Sequence, residues 1–324
     1  MTGIKITVLF STYNGARTLP RMLDALCACT LPPGHWKIVA VDNNSTDDTA
    51  KILDSYKDRL PLEVYFEPKQ GKENALALGF RHLEGELVVL TDDDVIPDPD
   101  WLDQFIRLSE EQPEFSIFGG LILPEWERPP RFPWLLKDNR AAILYALNES
   151  LEEGPTLAGY IFGPNSAFRR AVIKSGYVVH DNLGPNASVK QYPMGQDTAF
   201  AMRLESAGAK AYHSRGPKVR HIVKSAYVEE DWAIARAERY GMGMVVLRPT
   251  LFDRKRKIAG LPASTALLWL ALEPICLLFR RLPPGETRFR LLWKQSLRRG
   301  ILHQFLKQRG ARGRTSGQRI HAGG

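Results

Sequence analysis

A chain of 324 residues, 44% of them apolar, is long enough to bury a substantial core, and 44 Lys+Arg against 36 Asp+Glu set its net charge at +8. From Arg280 onward there are twelve Lys/Arg against one acid, Glu286, so the remainder of the +8 chain carries −3; a basic excess confined to the tail argues against nucleic-acid binding and for contact with an anionic membrane surface. Three cysteines, Cys27, Cys29 and Cys276, exclude a disulfide framework or zinc cluster and suit a reducing cytosol.

The chain starts on an apolar β-rich run and lacks the basic-then-apolar order of a signal peptide. Strands are predicted at Ile4–Phe10, Trp36–Val41, Leu62–Phe66, Glu86–Leu90 and Phe115–Phe118. Amphipathic helices are predicted between them, at Thr18–Cys29, Thr46–Tyr56, Glu73–Leu83 and Pro99–Glu111. Ser45, with Asp48 three positions on, reads as a capping box for the second helix. This βαβ rhythm predicts an α/β fold with a doubly wound, mostly parallel, Rossmann-like sheet. Ligands of such sheets bind beyond the carboxyl ends of the strands, where Ser11–Gly15, Asp42–Ser45 and Asp92–Asp94 fall. Residues 121–220 are less regular and read as the second half of the same domain, so the first domain is 1–225. A mixed-charge helix is predicted from Ala226 to Met242, within a helical extension and basic linker over 226–260. Leu261–Phe279 is almost continuously apolar, but Glu273-Pro274 interrupts it, which predicts an interfacial helix ahead of a full span. Flanking Arg254-Lys255-Arg256-Lys257 and Arg280-Arg281 would hold both ends at the cytoplasmic face, making 261–324 an apolar helix and Arg-rich tail associated with the membrane.

Asp92-Asp93-Asp94 follow the apolar run Leu87-Val88-Val89-Leu90. Carboxylates this close repel one another and need a counter-charge, and clustered oxygen ligands suit Mg²⁺ or Mn²⁺, completed by water and substrate phosphates. A solvated acidic turn is the competing reading. Asp42, delivered by the second strand into a polar turn, suits a base N–H or a ribose hydroxyl, or simply caps the turn.

Thr12-Tyr13-Asn14, Val41-Asp42-Asn43-Asn44-Ser45-Thr46-Asp47, Gly71-Lys72-Glu73-Asn74-Ala75-Leu76-Ala77-Leu78-Gly79 and Thr91-Asp92-Asp93-Asp94-Val95 occur in the order and spacing of family-two glycosyltransferases, which the chain resembles. Gly163-Pro164-Asn165-Ser166 looks like that family's glycine loop beside the donor sugar, and Met194-Gly195-Gln196-Asp197 like its Glu-Asp motif, with Gln196 where Glu is usual. The resemblance spans roughly Ile4 to Gly243. It implies a GT-A fold and transfer, with inversion, of one sugar from a nucleotide diphosphate, UDP first, to a saccharide or lipid-linked acceptor in surface polysaccharide or glycolipid synthesis. By that resemblance Asp197 is the base, Asp94 and His221 hold the metal, and Thr12, Tyr13, Asn14, Asp42, Asn44, Lys72, Asp92, Asp93, Gly163 and Asn165 line the donor site. A processive synthase, suggested by Arg236-Ala237-Glu238-Arg239-Tyr240, and a non-catalytic membrane scaffold are the alternatives.

Overall fold

Periodicity and burial agree over the first half of the chain. In the computed structural model, which describes residues 3–173, 183–189, 191–253, 257–258 and 261–318, strands β1 (Ile6–Thr12) and β2 (Trp36–Asp42) are buried at every position. Helices α1 (Leu19–Cys27) and α2 (Thr49–Ser55) flank them, followed by β3 (Leu62–Phe66), α3 (Lys72–Gly79) and β4 (Leu87–Leu90). Strands buried on both faces read as near-continuous apolar runs, which is why β1, β2 and β4 were visible in the sequence. The capping box is a correction: α2 begins three residues later than predicted. Ser45 instead accepts a hydrogen bond from Asn14 N, and the first turn is held by Asp47, which accepts from Thr49 N.

Next come β5 (Val95–Pro97), α4 (Trp101–Glu111), β6 (Ile117–Trp126), α5 (Arg140–Tyr145), β7 (Gly154–Thr156), β8 (Ser166–Arg169), α6 (Gln196–Ser206) and β9 (Ala211–Val223). Together the described strands β1–β9 make one sheet in the order β3-β2-β1-β4-β8-β6-β9-β5, with β7 added on β9. The segment β3-β2-β1-β4 is parallel; β8 then runs antiparallel between β4 and β6, and β9 pairs parallel to β6 and antiparallel to β5.

Chain contacts separate two units, Met1–Pro129 with Leu136–Lys190 and Gln196–Ser225, and Pro130–Leu135 with Gln191–Gly195 and Ala226–Gly324. The second contains α7 (Glu230–Leu247), α8 (Thr250–Asp253), a short hairpin of β10 (Lys257–Ile258) and β11 (Leu261–Pro262), α9 (Ala263–Phe279) and α10 (Glu286–Gln318). Arg254-Lys255-Arg256 lie outside the described residues. Glu273-Pro274 does not interrupt α9. Proline removes one helix donor, and on this turn Gln295 of α10 donates to both Trp269 O (2.7 Å) and the Glu273 carboxylate (2.8 Å). The Arg-rich tail is helical through Gln318, with Phe289, Leu292, Trp293 and Ser296 buried at helical spacing. No helix among the described residues is long and apolar enough to cross a membrane.

Candidate active site

Register brings the polar ends of the strands together. Thr12 of β1 pairs with Asp42 of β2, and Leu9 with Leu90 of β4, so the turn 91–94 emerges beside both. Thr91 Oγ1 donates to Pro164 O (2.9 Å), which ties this turn to the glycine loop before β8. On the other side Val95 pairs with His221 of β9, and Ile222 N donates to Asp94 O (2.8 Å).

The three aspartates point three ways. Asp92 accepts from Lys72 Nζ at 2.5 Å, and the same ammonium lies 3.5 Å from Asp197 Oδ2, although Asp197 stands on α6 far along the chain. Asp93 turns toward β1, where Thr12 Oγ1 donates to its Oδ2 at 2.5 Å. Asp94 Oδ1 lies 3.3 Å from His221 Nε2. His221 Nδ1 faces Tyr145 O at 2.7 Å and so carries the proton that bonds it, which leaves Nε2 as the atom presented to Asp94.

Electrostatics follow that division. Burial raises the Asp92 carboxyl above its ordinary range despite Lys72, and pushes Asp93 up to about 7, with Asp94 adding to the effect. For Asp94 burial works the same way, but His221, Lys224 and Lys72 more than offset it and hold the carboxyl low. Burial alone would lower Lys72; the carboxylates of Asp197 and Asp92 outweigh it and keep the ammonium charged. His221 is likewise raised, burial being overcome by Asp94.

Asp94 and His221 bring one carboxylate and one imidazole within 3.3 Å of each other. Among the described residues no cluster of three or more His, Cys, Asp or Glu could hold a metal ion. An incomplete protein cage fits Mg²⁺ or Mn²⁺, which keep waters and take substrate phosphate oxygens.

Of the other predicted donor residues, Asp42 accepts from Ser45 N (2.9 Å), while Asn14 Oδ1 accepts from Thr46 N (2.8 Å), tying the first two loops together. Tyr13 and Asn44 are exposed at that edge. Gly163 is where a side chain cannot be: a Cβ there would sit 2.4 Å from Asp197 Oδ2. Asn165 is a correction. It is 0% exposed, and its amide donates to Leu121 O and Pro217 O and accepts from Trp101 Nε1, so it anchors the glycine loop and does not face a donor.

Two residues were not singled out from the sequence. Asn43 donates to Glu67 O and Lys69 O and accepts from Gly71 N (2.7 Å), fixing the backbone that carries Lys72. Lys224, three residues past His221, helps to hold Asp94 low and opposes the larger rise at Asp93. Asn43 lay inside a recognised motif, but its neighbours Asp42 and Asn44 had drawn the functional reading; Lys224 belongs to no motif.

The family model described as Glycosyl transferase family 2 matches residues 7–176. A glucosyl-dolichyl phosphate glucuronosyltransferase of Haloferax volcanii is 24% identical over 266 residues, 78% of this chain and 81% of that protein. An undecaprenyl-phosphate 4-deoxy-4-formamido-L-arabinose transferase of Proteus mirabilis is 25% identical over 111 residues, 33% of this chain and 34% of the relative. Among solved structures, the mannosyltransferase PcManGT of Pyrobaculum calidifontis, in complex with GDP-Man and Mn²⁺, superposes with a TM-score of 0.55 at 17% identity, covering 92% of this chain and 87% of that one. S. aureus TarS 1–349 superposes with a TM-score of 0.52 at 18% identity, covering 92% and 90%. These likenesses give the fold, that of GT-A glycosyltransferases.

Proposed function

Because the chain belongs to glycosyl transferase family 2 and is a glycosyltransferase, we propose that it moves one sugar, with inversion, from a nucleoside diphosphate to a hydroxyl of a lipid-linked saccharide. The observation that carries this reading is the meeting of Asp92, Lys72 and Asp197 across the sheet edge, which sets a carboxylate for the acceptor beside the residues for the donor.

In this reading Asp92 and Asp42 hold the nucleoside, and Thr12 with Tyr13 line its edge. Asp197 takes the proton of the acceptor hydroxyl; the oxygen bonds to the anomeric carbon, and the bond to the diphosphate breaks with its electron pair going to the diphosphate. Gly163 keeps the base at the sugar's side of the site, since its bare backbone is what Asp197 packs against. Asp94 and His221 would hold Mg²⁺ or Mn²⁺, which when bound supplies positive charge to the leaving diphosphate. A UDP-sugar is the first donor to try. The name of the Haloferax volcanii relative supports a lipid-linked sugar as acceptor, in glycolipid or surface polysaccharide synthesis. The exposed leucines of α9 support work at the membrane surface, which we place on the cytoplasmic face.

The test is purified protein with a panel of nucleotide sugars and a lipid-linked saccharide, with and without Mn²⁺. Turnover should fall with EDTA, and in Asp197→Asn by about 10²- to 10⁴-fold. No donor bound from the panel, or full activity in Asp94→Ala, would overturn the reading. The Proteus mirabilis relative favours a second acceptor, a lipid phosphate; a phosphate oxygen is already ionised and needs no base, so Asp197→Asn would then retain its rate.

A further inference from the structure

Lys72 stands where donor binding and base activation meet. Its backbone is pinned: Lys72 N donates to Pro185 O (3.0 Å), and Gly71, at a φ of +128° that favours glycine, donates to Asn43 Oδ1. Beyond that anchor runs a flexible four-carbon stem ending in a mobile point charge. Nζ lies against Asp92 Oδ1 at 2.5 Å and Asp197 Oδ2 at 3.5 Å, its side chain 16% exposed.

We propose that Lys72 is a donor-operated latch on Asp197: its ammonium, shared between Asp92 and Asp197, faces the carboxylate oxygen that must receive the acceptor's proton, and the donor diphosphate draws it away. The inference rests on the function assigned above. Its logic is competition for one cation. A diphosphate beside Asp92 brings more negative charge than one carboxylate and accepts charge-assisted hydrogen bonds from ammonium. Once Nζ has moved, Asp197 Oδ2 is released beside Gly163, facing the place where the sugar and acceptor meet. The consequence is order: donor first, acceptor second, with the base unavailable until a leaving group is in place. Among the described residues, the charged groups facing Asp197 are Lys72 from α3 and Asp92 from the β4–β5 turn.

A double-mutant cycle on nucleotide binding tests this without turnover. UDP and GDP, each with Mn²⁺, are titrated calorimetrically into wild-type protein, Asp197→Asn, Lys72→Met and the double variant. The latch predicts that Asp197→Asn tightens binding about threefold or more, because Lys72 no longer has to leave a partner. Lys72→Met weakens binding about tenfold or more, and in that background the gain from Asp197→Asn disappears. Lys72→Arg, which keeps the cation, retains the coupling and guards against a merely misfolded Met variant. An Asp197→Asn gain that persists without Lys72 is direct repulsion of the diphosphate and overturns the latch, as does no gain at all. Failure of wild-type protein to bind either nucleotide overturns the functional reading as well, so the two failures are distinguishable.

Discussion

Gly163 and Asp197 show how little room the site has. A methyl group at position 163 would fall 2.4 Å from Asp197 Oδ2, so Gly163→Ala should displace the carboxylate while leaving the fold intact. Displacement of a reacting group by about 1 Å costs about 100-fold in rate; we expect kcat to fall by that order with UDP binding little changed, measured by steady-state kinetics beside calorimetry. A second residue sets acid sensitivity. His213 is fully buried, with Nδ1 facing Glu152 O (3.1 Å) and Nε2 facing the Asn148 amide nitrogen (3.2 Å). One neutral tautomer satisfies both contacts, whereas a second ring proton would confront an N–H donor. Burial lowers its pKa from 6.5, so the unfolded chain binds the proton more readily than the folded one. Stability is therefore complete above that value and falls as pH drops below it. Thermal unfolding between pH 8 and 5.5 should show that fall in wild-type protein and a smaller one in His213→Gln. At this scale a motif in the sequence pointed to Asp92, Asp94, Asp197 and His221, which the fold brings into contact with Lys72 or with one another. It assigned Asn165 to the donor and passed over Asn43, whose amides both serve backbone groups brought near only by the sheet.

The elements divide along similar lines. Strands β1, β2 and β4 were legible because a near-continuous apolar run makes each buried strand, and β3 because Leu62, Val64 and Phe66 alternate with Glu63 and Tyr65 at the sheet edge. β9 was not, since its thirteen residues mix buried and exposed positions, contain Gly216-Pro217, and sit beside a register shift in β6. Helix α10 was hidden by its own charge: counting arginines suggested a tail, while the stripe Phe289, Leu292, Trp293, Ser296 packs inward. Its crossing with α7 is set by two glycines. A Cβ on Gly300 would lie 1.9 Å from Glu238 O, and one on Gly241 would lie 2.2 Å from Leu297 O. Glu238 and Arg299 pair at the same crossing, Nε to Oε2 at 2.9 Å, which gives the Arg236–Tyr240 segment a structural occupation. Alanine at position 300 gains helix propensity, yet forces backbones apart; overpacking of this kind costs about 1–3 kcal/mol. Gly300→Ala should accordingly lower the urea midpoint, with the slope unchanged.

For the whole molecule, the main question is what the C-terminal unit rests on. Helix α9 exposes Leu267 (59%), Leu270 (61%), Leu277 (56%) and Leu278 (62%), followed directly by Arg280-Arg281. Burying a leucine is worth about 1.5–3 kcal/mol, so a few of these inserted into a lipid interface, beside arginines on anionic headgroups, would suffice for stable adsorption. Co-sedimentation with anionic vesicles should fall about tenfold or more in a Leu267→Glu, Leu277→Glu, Leu278→Glu variant. Release of wild-type protein by high salt alone would assign the adsorption to the arginines. The order of strands has a different consequence, for the ribosome. β9, made last among the strands of the main sheet, lies between β6 and β5, and it carries His221 to an aspartate synthesised 127 positions earlier. A nascent chain therefore cannot close its sheet or bring His221 to Asp94 until nearly all of the first unit has emerged, and such late, long-range closure is slow. An interrupted translation product is accordingly a chain whose sheet lacks the strand between β6 and β5 and whose Asp94 has no histidine beside it.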